Sequence, residues 1–131
     1  MKTLLAAGFL IGFASSAAAE QKQFDLKCTG TAKTETQKVD GPFQRTIHVD
    51  LASGQYCNDE CTSVRRIASV DPLRIAFEWG EASAFSMNRV TVDRRTGEYV
   101  IGQLNVEPNK WIVGSATCSP APFTPFPATR F

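Results

Sequence analysis

Histidines and catalytic motifs are scarce in this sequence. The 131-residue chain has one histidine, His48, and contains neither a Gly-x-Ser-x-Gly nor a His-Glu-x-x-His motif. His48 and Asp50 share one strand face at positions i and i+2, but two side chains do not complete a metal site, so we interpret them as an outward-facing polar strand. We therefore expect that the protein is not an enzyme and that it has no catalytic residues, no metal and no cofactor.

Long apolar segments are also absent. Residues 4–14 form an apolar run that is well short of the roughly 20 residues needed for a membrane-spanning helix. Lys2 precedes this run and three alanines at residues 17–19 follow it, which is the pattern of a secretory signal peptide. We predict that residues 1–19 are a signal peptide and that the protein is exported to the periplasm or the extracellular space, with no membrane span.

Without this leader, the chain has no excess of positive or negative charge. Lys2 lies in the leader, and the rest of the chain carries equal numbers of basic and acidic residues. We therefore expect no nucleic acid as a partner. The pairs Arg65-Arg66 and Arg94-Arg95 are interpreted as solvated flanking charges rather than as an anion-binding patch.

The chain that follows the leader has the length of one domain. We predict a single β-domain at residues 20–119, because this length suffices for one compact core. Residues 120–131 are predicted to form a Pro/Phe-rich C-terminal tail, since four prolines at residues 120–127 remove backbone donors from any ladder. Phe123 and Phe126 either pack back over the domain, which we favour, or bind a partner.

Sustained helical periodicity is absent as well, and apolar residues recur at every second position. The clearest run, residues 73–79, alternates apolar side chains with polar or small ones, which predicts a strand with Trp79 in the core. Similar runs predict an all-β fold, an antiparallel meander of seven to eight strands closed as a small barrel, with a sandwich as the alternative. Gly97 marks a hairpin turn, and a change of phase predicts a β-bulge near Asn88.

The four cysteines are informative in an exported chain, because thiols pair outside the cytosol. They allow three pairings. The short separation of Cys57 and Cys61 favours a bond between them, which leaves Cys28 to pair with Cys118, but the sequence leaves the other two pairings open. A Cys28–Cys118 bond would join the first strand to the last, so we predict a barrel that this disulfide closes.

Aromatic and turn residues supply the candidates for a binding site. Four aromatic residues are suited to lining a ligand cavity or to filling the interior of a small barrel, which we favour: Trp79, Trp111, Tyr56 and Tyr99. Ser53 lies in a turn just ahead of Tyr56. We therefore name Ser53, Tyr56, Trp79 and Trp111 as possible binding residues.

Four segments stand out by their local pattern. They are Phe24-x-Leu26-x-Cys28-x-Gly30, Val49-Asp50-Leu51 leading to Gly54-Gln55-Tyr56-Cys57, the hairpin at residues 92–99 and the closing Cys118. Together they resemble a family of small exported proteins of Gram-negative alphaproteobacteria that has no assigned activity. The resemblance covers nearly all of the chain after the leader, and it implies an exported protein of unknown function.

The turn Ser53-Gly54-Gln55-Tyr56 gives a weaker resemblance, to periplasmic inhibitors of chicken-type lysozyme. Those proteins are exported, disulfide-closed β-barrels whose Ser-Gly-x-x-Tyr loop plugs the lysozyme cleft, and the turn here is one residue shorter. We expect a non-enzymatic binding domain whose partner is a protein or a small apolar ligand. The alternative is an inhibitor of a lysozyme-type enzyme.

Overall fold

The computed structural model describes residues 21–80, 86–105 and 108–128. The predicted signal peptide and the last three residues of the predicted tail lie outside the described residues. Regular structure in the described ranges is entirely β, and these ranges contain no helix that could cross a membrane. The strands are β1 (Gln23–Thr34), β2 (Gly41–Asp50), β3 (Gln55–Asn58), β4 (Arg65–Arg66), β5 (Ser69–Val70), β6 (Arg74–Trp79), β7 (Met87–Asp93), β8 (Glu98–Leu104) and β9 (Trp111–Ala121).

These nine strands form one antiparallel sheet in the order β4-β3-β2-β1-β9-β8-β7-β6-β5. The prediction of an all-β, antiparallel and disulfide-linked fold is confirmed. The count exceeds seven to eight because β3 was not predicted and because the segment Arg65–Val70 forms two short strands, β4 and β5, rather than one.

The sheet curls into a half-barrel whose two edges belong to one short segment, Arg65–Val70. Its first part, β4, pairs with β3, and its last part, β5, pairs with β6. Between them, the Ile67 backbone N–H donates to the Gly54 carbonyl at 2.9 Å, and the Ala68 N–H donates to the Phe77 carbonyl at 3.2 Å. One segment therefore covers both edges of the sheet.

A disulfide joins the first and last long strands in the middle of the sheet. Cys28 of β1 and Cys118 of β9 are direct register partners, and they are bonded to each other. Cys57 is bonded to Cys61, so both predicted pairings are confirmed. The bond links β1 to β9 as predicted, while the edge strands of the sheet are β4 and β5.

Inward-facing residues of the curled sheet form the core. Because side chains alternate along a strand, every second residue of β1 and β2 is buried, and the outer face is mostly solvated. The largest fully buried side chains are Tyr99, Phe77, Ile47, Ile75, Ile101 and Val49. The centre of the barrel is thus filled by side chains, which agrees with the packing that the sequence favours.

The prediction that Trp79 lies in the core is wrong. Trp79 is 51% exposed and Leu73 is 53% exposed, while Phe77 is only 1% exposed. The cause is a β-bulge, because the register with β7 shifts between Ala76 and Glu78. The predicted bulge near Asn88 is on the wrong strand, since β7 pairs with β8 in a regular register.

The predicted tail begins inside the sheet rather than after it. β9 continues to Ala121, and Pro120 is the register partner of Leu26. Beyond β9 the chain follows the outer wall, where Phe123 and Phe126 contact each other edge to face at 5.7 Å between ring centroids. Both rings are half-buried.

Candidate functional site

The filled core separates two recesses at opposite ends of β1 and β9. One recess contains residues from the start of β1 and the end of β9, and the other contains residues from the end of β1 and the start of β9. We call the first the apolar groove. Beside the second recess lies an interior cavity whose lining includes Tyr56, Arg65, Glu78 and Gln103. We call it the polar chamber.

The apolar groove has a hydrophobic floor and a volume of about 480 Å³. The alternation of β1 turns Phe24 and Leu26 inward, and the register of β6 with β7 places Ile75 directly opposite Val92. These four side chains form the floor. The Cys118 end of the long disulfide also lines the groove.

A tight turn at residues 93–97 forms the charged rim of the groove. Gly97 has a φ of +76°, as its predicted role in the hairpin requires, and its N–H donates to the Asp93 carbonyl at 2.9 Å. The Asp93 carboxylate accepts the Arg95 and Thr96 N–H groups at 2.8 and 3.0 Å. These bonds lower the pKa of Asp93 to about 2, so its charge is permanent at neutral pH.

Two arginines stand on this rim. The Arg94 guanidinium donates to the Asp71 carbonyl at 2.8 Å. The Arg95 guanidinium lies 3.3 Å from the Asp93 carboxylate, and its side chain is 66% exposed. An ion pair this exposed is weak, so Arg95 can turn towards an anion at little cost.

Glu78 is the centre of the polar chamber at the other end. The β-bulge turns both Phe77 and Glu78 inward, where simple alternation would have turned Glu78 out. One Glu78 carboxylate oxygen accepts the Tyr56 hydroxyl at 3.0 Å and pairs with Arg65, and the other accepts the Gln103 amide at 2.8 Å. Burial opposes the charged form, but hydrogen bonds with Asn88, Tyr56 and Arg65 outweigh it and lower the pKa of Glu78.

Burial and the adjacent Glu78 charge raise the pKa of Tyr56, so its hydroxyl remains a donor at neutral pH. The chamber therefore contains an ionised carboxylate whose two oxygens already have partners. It is suited to holding a polar guest in place.

Arg45 of β2 also faces this chamber. Its Nη1 donates to the Tyr99 hydroxyl at 3.0 Å, and its guanidinium carbon lies 5.2 Å from the Phe43 ring centroid. Its Nε is buried and has no hydrogen-bond partner. The enclosed space that Arg45, Arg65 and Glu78 line has a volume of about 120 Å³.

The four candidate binding residues of the sequence are not brought together. Tyr56 is 2% exposed and belongs to the chamber. Trp111 is half-buried in the outer recess, which has a volume of about 320 Å³ and shares Arg65 and Gln103 with the chamber. Trp79 is on the outer wall beneath the guanidinium of Arg89, at 4.5 Å from the ring centroid.

Ser53 is exposed on the turn between β2 and β3, where its N–H donates to the Asp50 carboxylate at 3.2 Å. A lysozyme-inhibitor loop would present its serine and its tyrosine together. In this turn only Ser53 reaches the surface, because Tyr56 points into the barrel. Lysozyme inhibition stays a prediction that the turn geometry does not favour.

His48 does not face solvent, contrary to the interpretation of its strand. It is 8% exposed, with Nδ1 2.8 Å from the Asp25 carboxylate and Nε2 2.8 Å from the Asp59 carbonyl. Asp25 also accepts the Thr124 N–H at 3.1 Å and the Thr124 hydroxyl at 2.7 Å. The tail and the Cys57–Cys61 loop thus cover the outer faces of β1 and β2. We call the hydrogen-bond network of Asp25, His48, Asp59 and Thr124 the outer latch.

The outer latch favours a charged imidazole. A carbonyl and a carboxylate both accept, so both ring nitrogens of His48 must donate. Burial lowers the pKa of His48, but the Asp25 and Asp59 contacts outweigh burial and raise it. For Asp25, burial is likewise outweighed by the Thr124 and His48 hydrogen bonds, which lower its pKa.

The described side chains include no group of three or more histidine, cysteine, aspartate or glutamate residues placed to hold a metal ion. Comparison with protein-family models, with curated proteins and with solved structures finds no match for this chain.

Proposed function

We propose that the protein is an exported, non-enzymatic binding domain, and that its ligand is a small apolar molecule bearing an acidic group, held in the apolar groove. The observation that carries this proposal is the groove itself, an open recess of about 480 Å³ with a hydrophobic floor and an arginine rim. Ligand sites in proteins are typically concave, mostly apolar and roughly 300–1,000 Å³ in volume.

The floor explains why an apolar body would bind. Phe24 is half-buried at the groove, so a ligand that covers it removes apolar surface from water on both sides. Each methylene that the ligand buries contributes about 0.8 kcal/mol, which is roughly a fourfold change in the dissociation constant.

The rim explains why the ligand would carry an acid. Arg95 is exposed and only weakly paired, and the fork of a guanidinium matches a carboxylate with two parallel hydrogen bonds. The signal peptide pattern and the two disulfides support export, because disulfides persist in oxidising compartments.

The test is a titration of the mature protein with a series of straight-chain carboxylates of increasing length, below their micelle concentrations, followed by calorimetry. The proposal expects the dissociation constant to fall about fourfold for each added methylene until the groove is full. An affinity that does not depend on chain length would overturn it.

Matched variants separate the floor from the rim. Arg95→Gln should weaken binding of the carboxylates and leave the corresponding alcohols unchanged, while Phe24→Ser should weaken both series. Lys33→Gln is the control, since Lys33 is an exposed cation near the opposite end of β1. Equal effects of Arg95→Gln and Lys33→Gln would show that the acid is attracted by general charge and would exclude a rim contact.

A further inference from the structure

The outer recess lies at the end of the barrel opposite the apolar groove, and its chemistry is different. It has a volume of about 320 Å³, at the lower end of the range that is typical of small-ligand sites. Trp111 and Ile112 supply its apolar surface, and charged or hydrogen-bonding side chains supply the rest. The recess therefore suits a small ligand that has both an apolar face and several polar groups.

Trp111 lines this recess with a ring that has no aromatic or cationic partner within the described residues, whereas the ring of Trp79 is covered by Arg89. Its indole N–H likewise donates to no group in the described ranges. Among the described side chains that are at least partly buried, the only buried nitrogen or oxygen atoms without a partner are the Nε atoms of Arg45 and Arg89. The Trp111 indole N–H is therefore accessible to a ligand.

Two accessible acceptors line the same recess. Glu35 accepts the Trp111 backbone N–H at 3.2 Å with one carboxylate oxygen, and its other oxygen has no partner in the described part of the chain. The Gln103 amide group donates to Glu78 at 2.8 Å and to Asn88 at 3.0 Å, which fixes its orientation and leaves its carbonyl oxygen unpartnered within those residues. Neither oxygen is buried, so both can accept from a ligand.

The charges around the recess balance. Arg65 pairs with Glu78, and Lys110 and Glu35 bring one charge of each sign to the lining. The Arg65 side chain is 55% exposed, so its guanidinium adds donors to the same wall. With no excess of one charge, the recess does not select for an ion. A hydroxyl group both donates and accepts, so an uncharged ring that bears several hydroxyls matches such a mixed lining.

We infer that the outer recess binds an uncharged sugar ring, which stacks on the Trp111 indole and hydrogen-bonds through its hydroxyls to Glu35 and Gln103. The C–H groups on one face of a pyranose form an apolar surface, and an indole combines an apolar face with a polar N–H. This site goes beyond the proposed function, because it takes a different class of ligand at the opposite end of the barrel from the apolar groove. No covalent step is involved.

The test is a titration of the ¹⁵N-labelled mature protein with the methyl glycosides of glucose, galactose, mannose and N-acetylglucosamine, followed through the indole N–H signals. The chain has two tryptophans, and Trp79 is the internal reference because it is exposed on the outer wall. Trp79→Phe assigns the two signals. We expect at least one sugar to give a saturable shift of the Trp111 signal in the millimolar range, while the Trp79 signal stays in place. A Trp111 signal that none of the sugars shifts, or an equal shift of both signals, overturns the inference.

Matched variants separate stacking from hydrogen bonding, with the dissociation constant read from the Gln103 side-chain amide. Trp111→Ala should raise it at least about tenfold, because the apolar surface that the sugar covers is lost, and Trp79→Ala should leave it unchanged. Glu35→Gln should raise it about fivefold, since a charged acceptor becomes a neutral one. Asp40→Asn is the control, because Asp40 is an exposed acid on the same connection between β1 and β2.

A charged probe tests the neutrality of the site. The uronic acid that corresponds to the bound sugar has the same ring and a carboxylate, and we expect it to bind no more tightly than the neutral sugar. A tenfold preference for the acid would show an anion site and would overturn the inference. The unsubstituted protein decides the question even where Trp111→Ala fails to fold.

Discussion

The apolar groove and the polar chamber lie at opposite ends of the same strands, and different interactions stabilise them. The groove floor needs only the alternation of β1 and the facing pair Ile75 and Val92, all of them apolar side chains. The chamber depends on a β-bulge that turns Glu78 inward, and several donors must then surround that carboxylate. We expect the apolar groove to tolerate substitution, whereas the polar chamber should lose stability when one of its hydrogen-bonding side chains is removed.

The largest expected effect concerns the disulfide at the groove end. Replacing both Cys28 and Cys118 by alanine should lower the free energy of unfolding by about 4–5 kcal/mol, because the bond closes a long loop in the unfolded chain. Replacing both Cys57 and Cys61 should cost about 2 kcal/mol, since their loop is short. Urea denaturation of the two double variants measures both values, and equal losses would contradict the loop-length argument.

The next effect tests the chamber against the groove. Glu78→Ala should lower the free energy of unfolding by about 2–3 kcal/mol, because it leaves the Tyr56 hydroxyl and a Gln103 amide donor without their acceptor, while the exposed Arg65 loses little. Ile75→Val removes one methylene from the groove floor and should cost only about 0.5–1.5 kcal/mol.

Tyr56→Phe is the graded control for the chamber, since it deletes one hydrogen bond and should cost about 1 kcal/mol. The expected difference between the groove and the chamber is contradicted if Glu78→Ala lowers the free energy of unfolding no more than Ile75→Val does. That result would mean that water replaces the carboxylate without loss.

A third prediction uses the pH dependence of stability to distinguish the outer latch from the apolar groove and the polar chamber. The raised pKa of His48 gives stability that is complete below its unfolded value near pH 6.5 and is lost as the pH rises through the folded value. The lowered pKa of Asp25 gives stability that is complete above roughly pH 4 and is lost as the pH falls below this value. The melting temperature should therefore be highest between about pH 4 and 6.5.

His48→Gln is the matched variant, because glutamine retains a donor and does not titrate. Thermal melts at about pH 5.5 and pH 8 should show a loss of stability at the higher pH in the parent and a smaller loss in the variant. Glu78 is ionised at both values, since its pKa is lowered, so the chamber does not contribute to the difference. A parent protein that gains stability between these two pH values would refute the latch.

The smallest effect concerns Trp79, which the bulge places outside. Trp79→Ala should cost no more than about 1 kcal/mol, the usual worth of an exposed cation–π contact such as the one with Arg89. Phe77→Ala, two residues earlier in the chain, should cost about 3–5 kcal/mol. If the two costs were reversed in urea titrations, β6 would have the regular alternation that the sequence suggests.

Alternation, cysteine spacing and a turn glycine were enough to predict the antiparallel sheet, the two disulfides and the Gly97 hairpin. These features depend on local pattern, which a single sequence displays. The groove floor follows from the same pattern, because Phe24 and Leu26 share a face with Cys28 in any regular strand. Its rim arginines were visible too, although they were interpreted as solvated charges.

The polar chamber and the outer latch were not predicted from the sequence, because both depend on contacts between distant segments. Residues 73–79 alternate so regularly that no local signal places a bulge there, and the bulge decides whether Glu78 or Trp79 faces the interior. His48 was assigned to solvent because the tail that covers its partner lies far away in sequence, with Thr124 reaching Asp25 across 99 residues. Arg45 is in phase with Phe43, Ile47 and Val49, which is a signal that it faces inward, but a basic residue in a strand usually faces water.

The segment Arg65–Val70 has a consequence for the order in which the barrel opens. Each of its two strands has two residues, whereas the β1–β9 ladder is long and cross-linked by Cys28–Cys118. Amide protons of the short strands should therefore exchange with solvent through small local openings, while those around Cys28 should exchange only when the whole domain unfolds. We expect the barrel to open first at this segment, which includes Arg65 at the wall of the polar chamber.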